Sequence, residues 1–386
     1  MAFPDPVTPA AAATPAALPP LGMALLTAAL CLPLAPLAQA ESQPERGSIT
    51  LKYLDYKDSQ PGWNRIWVHA PSVAVLAPVG ENWSVAGSLV SDVLSGASPA
   101  YHAEPNPFKI HEHRKAGDFT VTRYLPRGTF ALGASYSTES DYVSRGITAQ
   151  GSFASEDKNT TFSGGLGLTS DQINPNNKVV VNERKNITDL MVGVTQVLSP
   201  NDIAQLNLTY VHGTGYYSDP YKLLDNRPRN RNQTAMLLRW NHHLDSTDGT
   251  TRLSYRYYTD TYHVKAHTLT AEYVQPLASG WTLTPMLRFH TQGAASFYVE
   301  ADGSGYPVLP PDYAPGRIVS EDQRLSAFGA FTYGLKVAKQ LDKDWSMDVK
   351  VEQYQQNGSW RVFGTGSKNM LPFDARMIQL GVSRLF

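Results

Sequence analysis

Apolar and polar residues alternate along most of this chain with a period of two, the period of a strand that keeps one face out of water. In 203–210, Ala204, Leu206, Leu208 and Tyr210 oppose Gln205, Asn207 and Thr209. In 281–290, Trp281, Leu283, Leu287 and Phe289 oppose Thr282, Thr284, Arg288 and His290. In 345–352, Trp345, Met347, Val349 and Val351 oppose Ser346, Asp348, Lys350 and Glu352. In 324–341, Leu325, Ala327, Phe331, Tyr333, Leu335 and Val337 oppose Ser326, Thr332, Lys336 and Gln340. The chain ends on the same pattern, with Ile378, Leu380, Val382 and Phe386 on one face and Gln379, Gly381 and Ser383 on the other.

Clusters of Pro, Asp, Asn and Gly punctuate these runs at 77–82, 125–128, 156–159, 198–202, 244–249, 276–280 and 341–344, and their chemistry is that of tight turns. Mostly longer connections alternate with them, at 57–63, 95–116, 137–142, 171–186, 214–230, 259–266, 293–320 and 358–371. The first strand opens near Ile49. This rhythm predicts an all-β chain of about sixteen antiparallel strands with both termini on the short-turn side. The expected architecture is a single closed transmembrane β-barrel over residues 41–386, with short periplasmic turns and longer extracellular loops. A soluble sandwich also alternates, but it would not hold one rhythm to the last residue. Trp83, Trp281 and Trp345 each follow a tight turn, and Phe130 and Phe162 sit similarly, as in an aromatic girdle at a membrane interface. A strand closed by Phe386 resembles the assembly signal of outer-membrane barrels, whereas Arg384 departs from that pattern.

Composition agrees with a lipid-facing exterior. Only 17% of residues are charged, below the usual value of about 25%. The net charge of −1 supplies no basic field for nucleic acid. An apolar run, 21–32, precedes Ala38-Gln39-Ala40, which predicts a signal peptide over 1–40. Residues 1–45 carry no Lys or Arg, so Met23 is an alternative start. An N-terminal anchor helix is the competing reading, disfavoured by Pro20, Pro33 and Pro36. The single cysteine, Cys31, lies inside the predicted signal, and Leu30 before it does not suit lipoprotein processing. A cysteine-free mature chain excludes thiolate metal sites, thiol nucleophiles, disulfides and covalent haem attachment.

Several stretches then carry a family likeness. They are 95–99, 136–142, 157–161, 222–228, Arg239-Trp240-Asn241-His242-His243, 253–258 and 322–330. Together they resemble domain-of-unknown-function family thirty-five seventy, a family of bacterial exported proteins, along nearly the whole mature chain. The resemblance implies a Gram-negative outer-membrane location and supplies no activity.

Candidate chemistry must therefore come from the residues. His111-Glu112-His113, with His102 nearby, offers imidazole and carboxylate to a transition metal, but no third ligand is set by spacing, and no metal or other cofactor is assigned. His243 is expected to face inward and the adjacent His242 outward, near the lipid interface. Asp225, Arg227 and Arg229 could bind lipopolysaccharide phosphates or, the favoured reading, fold their loop by ion pairing. Gly-x-Ser-x-Gly and glycine-rich phosphate loops are absent, so a barrel hydrolase assembled from separate strands is the least favoured function.

Alternation sends Arg239, His243, Arg252, Arg256, Glu272, Arg288, His290, Lys336, Asp348, Lys350 and Glu352 to the inner face. Along 127–169 the inward residues are small: Ala131, Gly133, Ser135, Ser163, Gly165 and Gly167. Buried charges are costly unless they are paired or wet, so this face lines water or forms a satisfied network. Two functions follow: a porin-like passage for small polar or anionic solutes, or a closed or sleeve-like scaffold around a periplasmic or lipoprotein partner. Lipid, lipopolysaccharide and the barrel-assembly machinery are the other expected partners. Too little chain separates Ala40 from Ile49 for a plug domain, so energy-coupled uptake is not expected. Mass spectrometry of the membrane-extracted protein should find Glu41 at the N-terminus; an intact residue 1 or an N-terminal Met23 would overturn the predicted cleavage.

Overall fold

A computed structural model describes residues 42–97, 109–222, 224–302 and 306–386. The predicted signal peptide lies outside them. The strands are β1 (Ser48–Gln60), β2 (Trp63–Val79), β3 (Trp83–Ala97), β4 (Lys109–Leu125), β5 (Gly128–Thr138) and β6 (Tyr142–Ala154). They continue with β7 (Thr160–Ile173), β8 (Glu183–Ser199), β9 (Asp202–Gly215), β10 (Asp225–Asn226), β11 (Asn230–Leu244) and β12 (Gly249–Asp260). The last are β13 (Lys265–Leu277), β14 (Trp281–Gln292), β15 (Val319–Ser320), β16 (Phe328–Gln340), β17 (Trp345–Asn357) and β18 (Phe373–Leu385). All but β10 and β15 form one closed antiparallel barrel of 16 strands. The two short strands pair with each other instead.

The ring closes between its first and last strands. β1 runs against β18 from Ser48↔Leu385 to Ser59↔Asp374. Below that ladder, Gly47 and Phe386 exchange two backbone hydrogen bonds of 2.9 Å. The Phe386 ring packs over Gly47, where a Cβ would displace it.

Alternation sorts the two faces. Leu51, Leu89, Leu132, Ile147, Val192, Leu269, Leu287 and Leu335 stand exposed on the outside, while Thr50, Ser72, Ser88, Thr268, Thr270 and Thr332 are buried inside. Trp83, Trp281, Trp345, Phe130 and Phe162 are all exposed beside the tight turns. Three of these rings carry a cation: Arg123 over Trp83 at 4.9 Å, Lys339 over Trp281 at 4.9 Å and Arg384 over Trp345 at 5.3 Å. Arg384, odd in an apolar terminal strand, thus belongs to the interfacial girdle.

Three connections differ from the sequence reading. The segment 57–63 is a tight hairpin at Pro61-Gly62, with Gly62 at φ +84°, a conformation glycine adopts freely. The connection expected over 95–116 is shorter, because β4 begins at Lys109 and takes up His111, Glu112 and His113. β2, β4 and β8 each have 17 residues, more than the roughly 9–11 that cross a bilayer, so strand pairing continues beyond the membrane. In the third case Leu325 and Ala327 are not on the outer face of β16. They are buried before it, because the Asp322 side chain accepts the Arg324 N–H and caps a 3₁₀ turn at Gln323–Leu325.

Deleting Phe386 removes two seam hydrogen bonds and the ring over Gly47, and should lower the heat-modifiable, membrane-inserted fraction. Equal folded levels of deletion and wild type would exclude a role for this residue in closure.

Candidate functional site: the charged lumen and its cap

The inner face of β11–β14 and β16–β17 carries the charged residues read from alternation. Arg239 donates to Gln205 on β9 at 2.9 Å. Arg252 stands across from Glu272, and Arg256 from Thr268 with its guanidinium over the Tyr258 ring at 5.2 Å. Arg288 donates to Thr270 at 3.2 Å, and His290 bonds Thr268 at 2.8 Å and Gln292 at 3.3 Å. Lys336 lies 3.8 Å from Asp348, and Lys350 3.0 Å from Glu352. His243 sits at the periplasmic rim, 3.8 Å from Asp245 and 3.7 Å from Asp248. His242 points outward and bonds Asp202 at 2.8 Å.

The lumen holds more charge than those strands suggested. Lys52, Arg65 with Asp58, Arg114 with Asp92, Asp118, Lys185 with Asp171, Asp189, and Arg231 with Asp260 also face inward. The excess of cations expected from β11–β17 is therefore local to that wall. Alternation could have found Lys52, which sits on a clean two-residue repeat. It fails at Arg65, which lies beside a register shift between Lys57 and Ser59.

Exposure of the charged wall varies along the lumen. Near the periplasmic turns, Arg252 is exposed although it faces inward. Towards the other end, Arg288, His290, Glu352, Tyr354 and Gln356 are buried. The described parts of the connections 216–229, 293–327 and 358–372 fold over the outer mouth. Met370 packs on the inward residues Phe328, Tyr354, Phe373, Ala375 and Met377. Gln60 of β1 donates to Gln323 at 3.2 Å, tying the cap to a strand distant in sequence and three places from β16 around the ring.

A buried ion cluster joins two of these connections. Arg227 donates to Asp225 at 2.9 Å and to Asp322 at 2.5 Å. Arg324 bonds Asp322 through Nε at 2.9 Å and lies 3.4 Å from Asp219. The β10–β15 pairing, Asp225↔Ser320 and Asn226↔Val319, lies beside it. Arg229 instead pairs with Glu183 at 2.5 Å near the outer end of β8. Asp225, Arg227 and Arg229 thus fold their loop. Burial alone would raise the Asp322 carboxyl, but Arg324, Lys222 and Arg227 outweigh it and hold the group well below the usual carboxylate range. Asp219 moves the other way, raised by burial against its neighbouring cations.

Of the histidines considered for a metal, the structure describes the side chain of His113 alone. His102 lies outside the described residues, and His113 is exposed on β4 opposite the outward Val93. Among the described residues no group of three or more His, Cys, Asp or Glu could hold a metal ion.

A closed ring of strands with an apolar outer belt, an aromatic girdle and a charged interior is an outer-membrane β-barrel. Residues 100–183 and 176–377 match the family described as "Protein of unknown function (DUF3570)", and the chain belongs to that family. No curated protein matches it. Among solved structures, the chain resembles a bacterial polysaccharide outer membrane secretin at 7% identity and TM-score 0.53, over 88% of this chain and 98% of that one. It also aligns with the CymD monoaromatic hydrocarbon channel at 7% identity and TM-score 0.46, over 96% and 93% of the two chains. Pseudomonas aeruginosa OccK2 in complex with glucuronate aligns at 11% identity and TM-score 0.43, over 89% and 100%. At these identities the likeness is one of fold alone, that of outer-membrane β-barrels.

Asp322→Asn leaves Arg227 and Arg324 short of a buried counter-charge, a change of the kind that costs about 3–5 kcal/mol. Hydrogen exchange in 216–229 and 306–327 should accelerate while the strand ladders stay protected; unchanged exchange would remove the cluster as the clasp of the cap. Because the Asp322 value is depressed on folding, its contribution is complete above the ordinary carboxylate range. It is lost only as pH falls through the lower folded value, so wild-type cap protection should survive mild acid.

Proposed function

We propose that this barrel is a passage for small polar and anionic solutes, controlled at its outer mouth by the folded cap. One observation carries the reading. β5, β6 and β7 lie eight strands around the ring from β14, β16 and β17 respectively, so the small inward residues face the charged ones across the lumen. Ala131, Gly133, Ser135, Ser163, Gly165 and Gly167 leave space where long side chains would fill it. Lys336 and Lys350 offer donors along the opposite wall, and Arg239, Arg252 and Arg256 add to them on β11 and β12. A barrel of this strand number is wide enough for water. A wall with local positive charge concentrates anions, and salt weakens the effect over a Debye length of about 10 Å at 0.1 M.

The cap favours a second reading. A lumen covered at its outer mouth also suits a sleeve for a segment of a periplasmic or lipoprotein partner. Lipopolysaccharide around the belt, and the assembly machinery acting on the Phe386 strand, complete the partners proposed for either reading.

In planar bilayers the pure protein should conduct and prefer anions at low ionic strength. Replacing Arg252 and Arg256 together with Gln should move the reversal potential towards cations without loss of heat-modifiability. Opening the cap with Asp322→Asn should raise conductance. If wild type, the double variant and the cap variant all fold and none conducts, passage is excluded and the sleeve remains.

A further inference from the structure

The outer wall of β8, β9, β11, β12 and β13 is not a uniform apolar belt. A groove of about 580 Å³ runs across it, a volume in the range of small-molecule sites. Its outward lining is given by two rows of the sheet. One row pairs Gln196, Ala204, Trp240 and Leu253 across adjacent strands; the next pairs Val194, Leu206, Leu238, Tyr255 and Leu269. Ala204 is the small member, set between Trp240 and Leu206, and the depression lies over it.

Directly below Ala204 the wall becomes polar. Asp202, the first residue of β9, accepts from Trp240 Nε1 at 2.9 Å, from Ser199 at 2.6 Å and from Nδ1 of His242 at 2.8 Å. The Trp240 and His242 rings stack with centroids 5.4 Å apart. Both ionisable side chains remain accessible, Asp202 at 24% and His242 at 35%. Asp202 and Ala204 are two residues apart, about 7 Å along a strand. An apolar groove therefore opens onto a carboxylate–imidazole pair beside the short-turn end of the barrel, where the aromatic girdle marks the periplasmic membrane surface.

We infer that this groove holds one phospholipid of the periplasmic leaflet, with an acyl chain along Leu206, Leu238 and Leu269 and a zwitterionic ethanolamine headgroup at the Asp202–His242 pair. Apolar wall and charged rim follow each other in the order of chain and headgroup in that leaflet. The carboxylate is complementary to the ammonium of the headgroup. The imidazole nitrogen not engaged by Asp202 is a donor, when protonated, for its phosphate. Trp240 supplies the amphipathic ring that such an interface favours. A second copy of the chain is the other occupant this surface could take, and the experiment separates the two.

Native mass spectrometry of the full chain, released from micelles containing equal phosphatidylethanolamine and phosphatidylglycerol, reads the occupant directly. Wild type should retain one phosphatidylethanolamine in preference to phosphatidylglycerol. Ala204→Phe fills the groove and should lower retention about tenfold, the loss of roughly one good contact. Asp202→Asn keeps the groove but removes the charge, and should abolish the headgroup preference while lipid still binds. Heat-modifiability establishes that each variant is folded, and if Ala204→Phe does not fold, the headgroup ratio of Asp202→Asn decides alone. Equal retention by wild type and a folded Ala204→Phe, or no headgroup preference in wild type, would overturn the site. A dimer in wild type that Ala204→Phe dissolves would overturn it in favour of self-association.

Discussion

Hydrogen bonding of the backbone in a medium without water governs this structure. Within hydrocarbon an unpaired N–H or C=O costs several kcal/mol, and an open sheet would expose two edges of them. The pairing of β1 with β18 removes both edges at once. It joins residues more than three hundred positions apart, so the strands between must match in number, length and stagger before the last bonds can form. The Gly47–Phe386 exchange ends that seam at the short-turn rim. Everything else in the molecule, including which charges meet inside, follows from the register the seam imposes.

Closure creates an interior that the outer belt cannot resemble. Side chains alternate, so each lipid-facing residue fixes a neighbour pointing into the lumen. Charges placed there must be wet or paired, and this barrel uses both solutions along its height. Near the periplasmic rim Arg252 reaches solvent, whereas under the cap Arg288 and Glu352 are buried among polar neighbours. The cap applies the same rule outside the membrane, where Arg227 and Arg324 are balanced by Asp225, Asp322 and Asp219. A cap built this way opens and closes through local folding equilibria, which can be shifted without touching the ring.

The outer surface is differentiated too. Cations over Trp83, Trp281 and Trp345 place charge where headgroups lie, and Asp202 with His242 does so at one point beneath a groove. The outer wall is thus differentiated as the lumen is, and the two sides share strands: Arg239 faces inward and Trp240 outward on consecutive residues of β11.

Strand number, the order of turns and loops, and the facing of Arg239, Glu272, Lys336 or Glu352 were legible in the sequence because each depends on a local two-residue period and local turn chemistry. The terminal strand was legible for the same reason. What lay beyond it was every relation between distant positions. Arg65 escaped because a bulge breaks the period at Asp58, and the inward charges of β4 and β8 because no clean apolar face framed them. Leu325 and Ala327 continued an alternating pattern on paper, yet the Asp322 cap and the contacts of Gln323 and Ser326 pulled them into the loops. The cap itself was invisible, since Arg227 meets Asp322 only after connections 95 residues apart fold over one mouth. Likewise the Ala204 groove exists only once four other strands stand beside β9. Local periodicity determines which way a residue points; closure of the ring decides what it meets there.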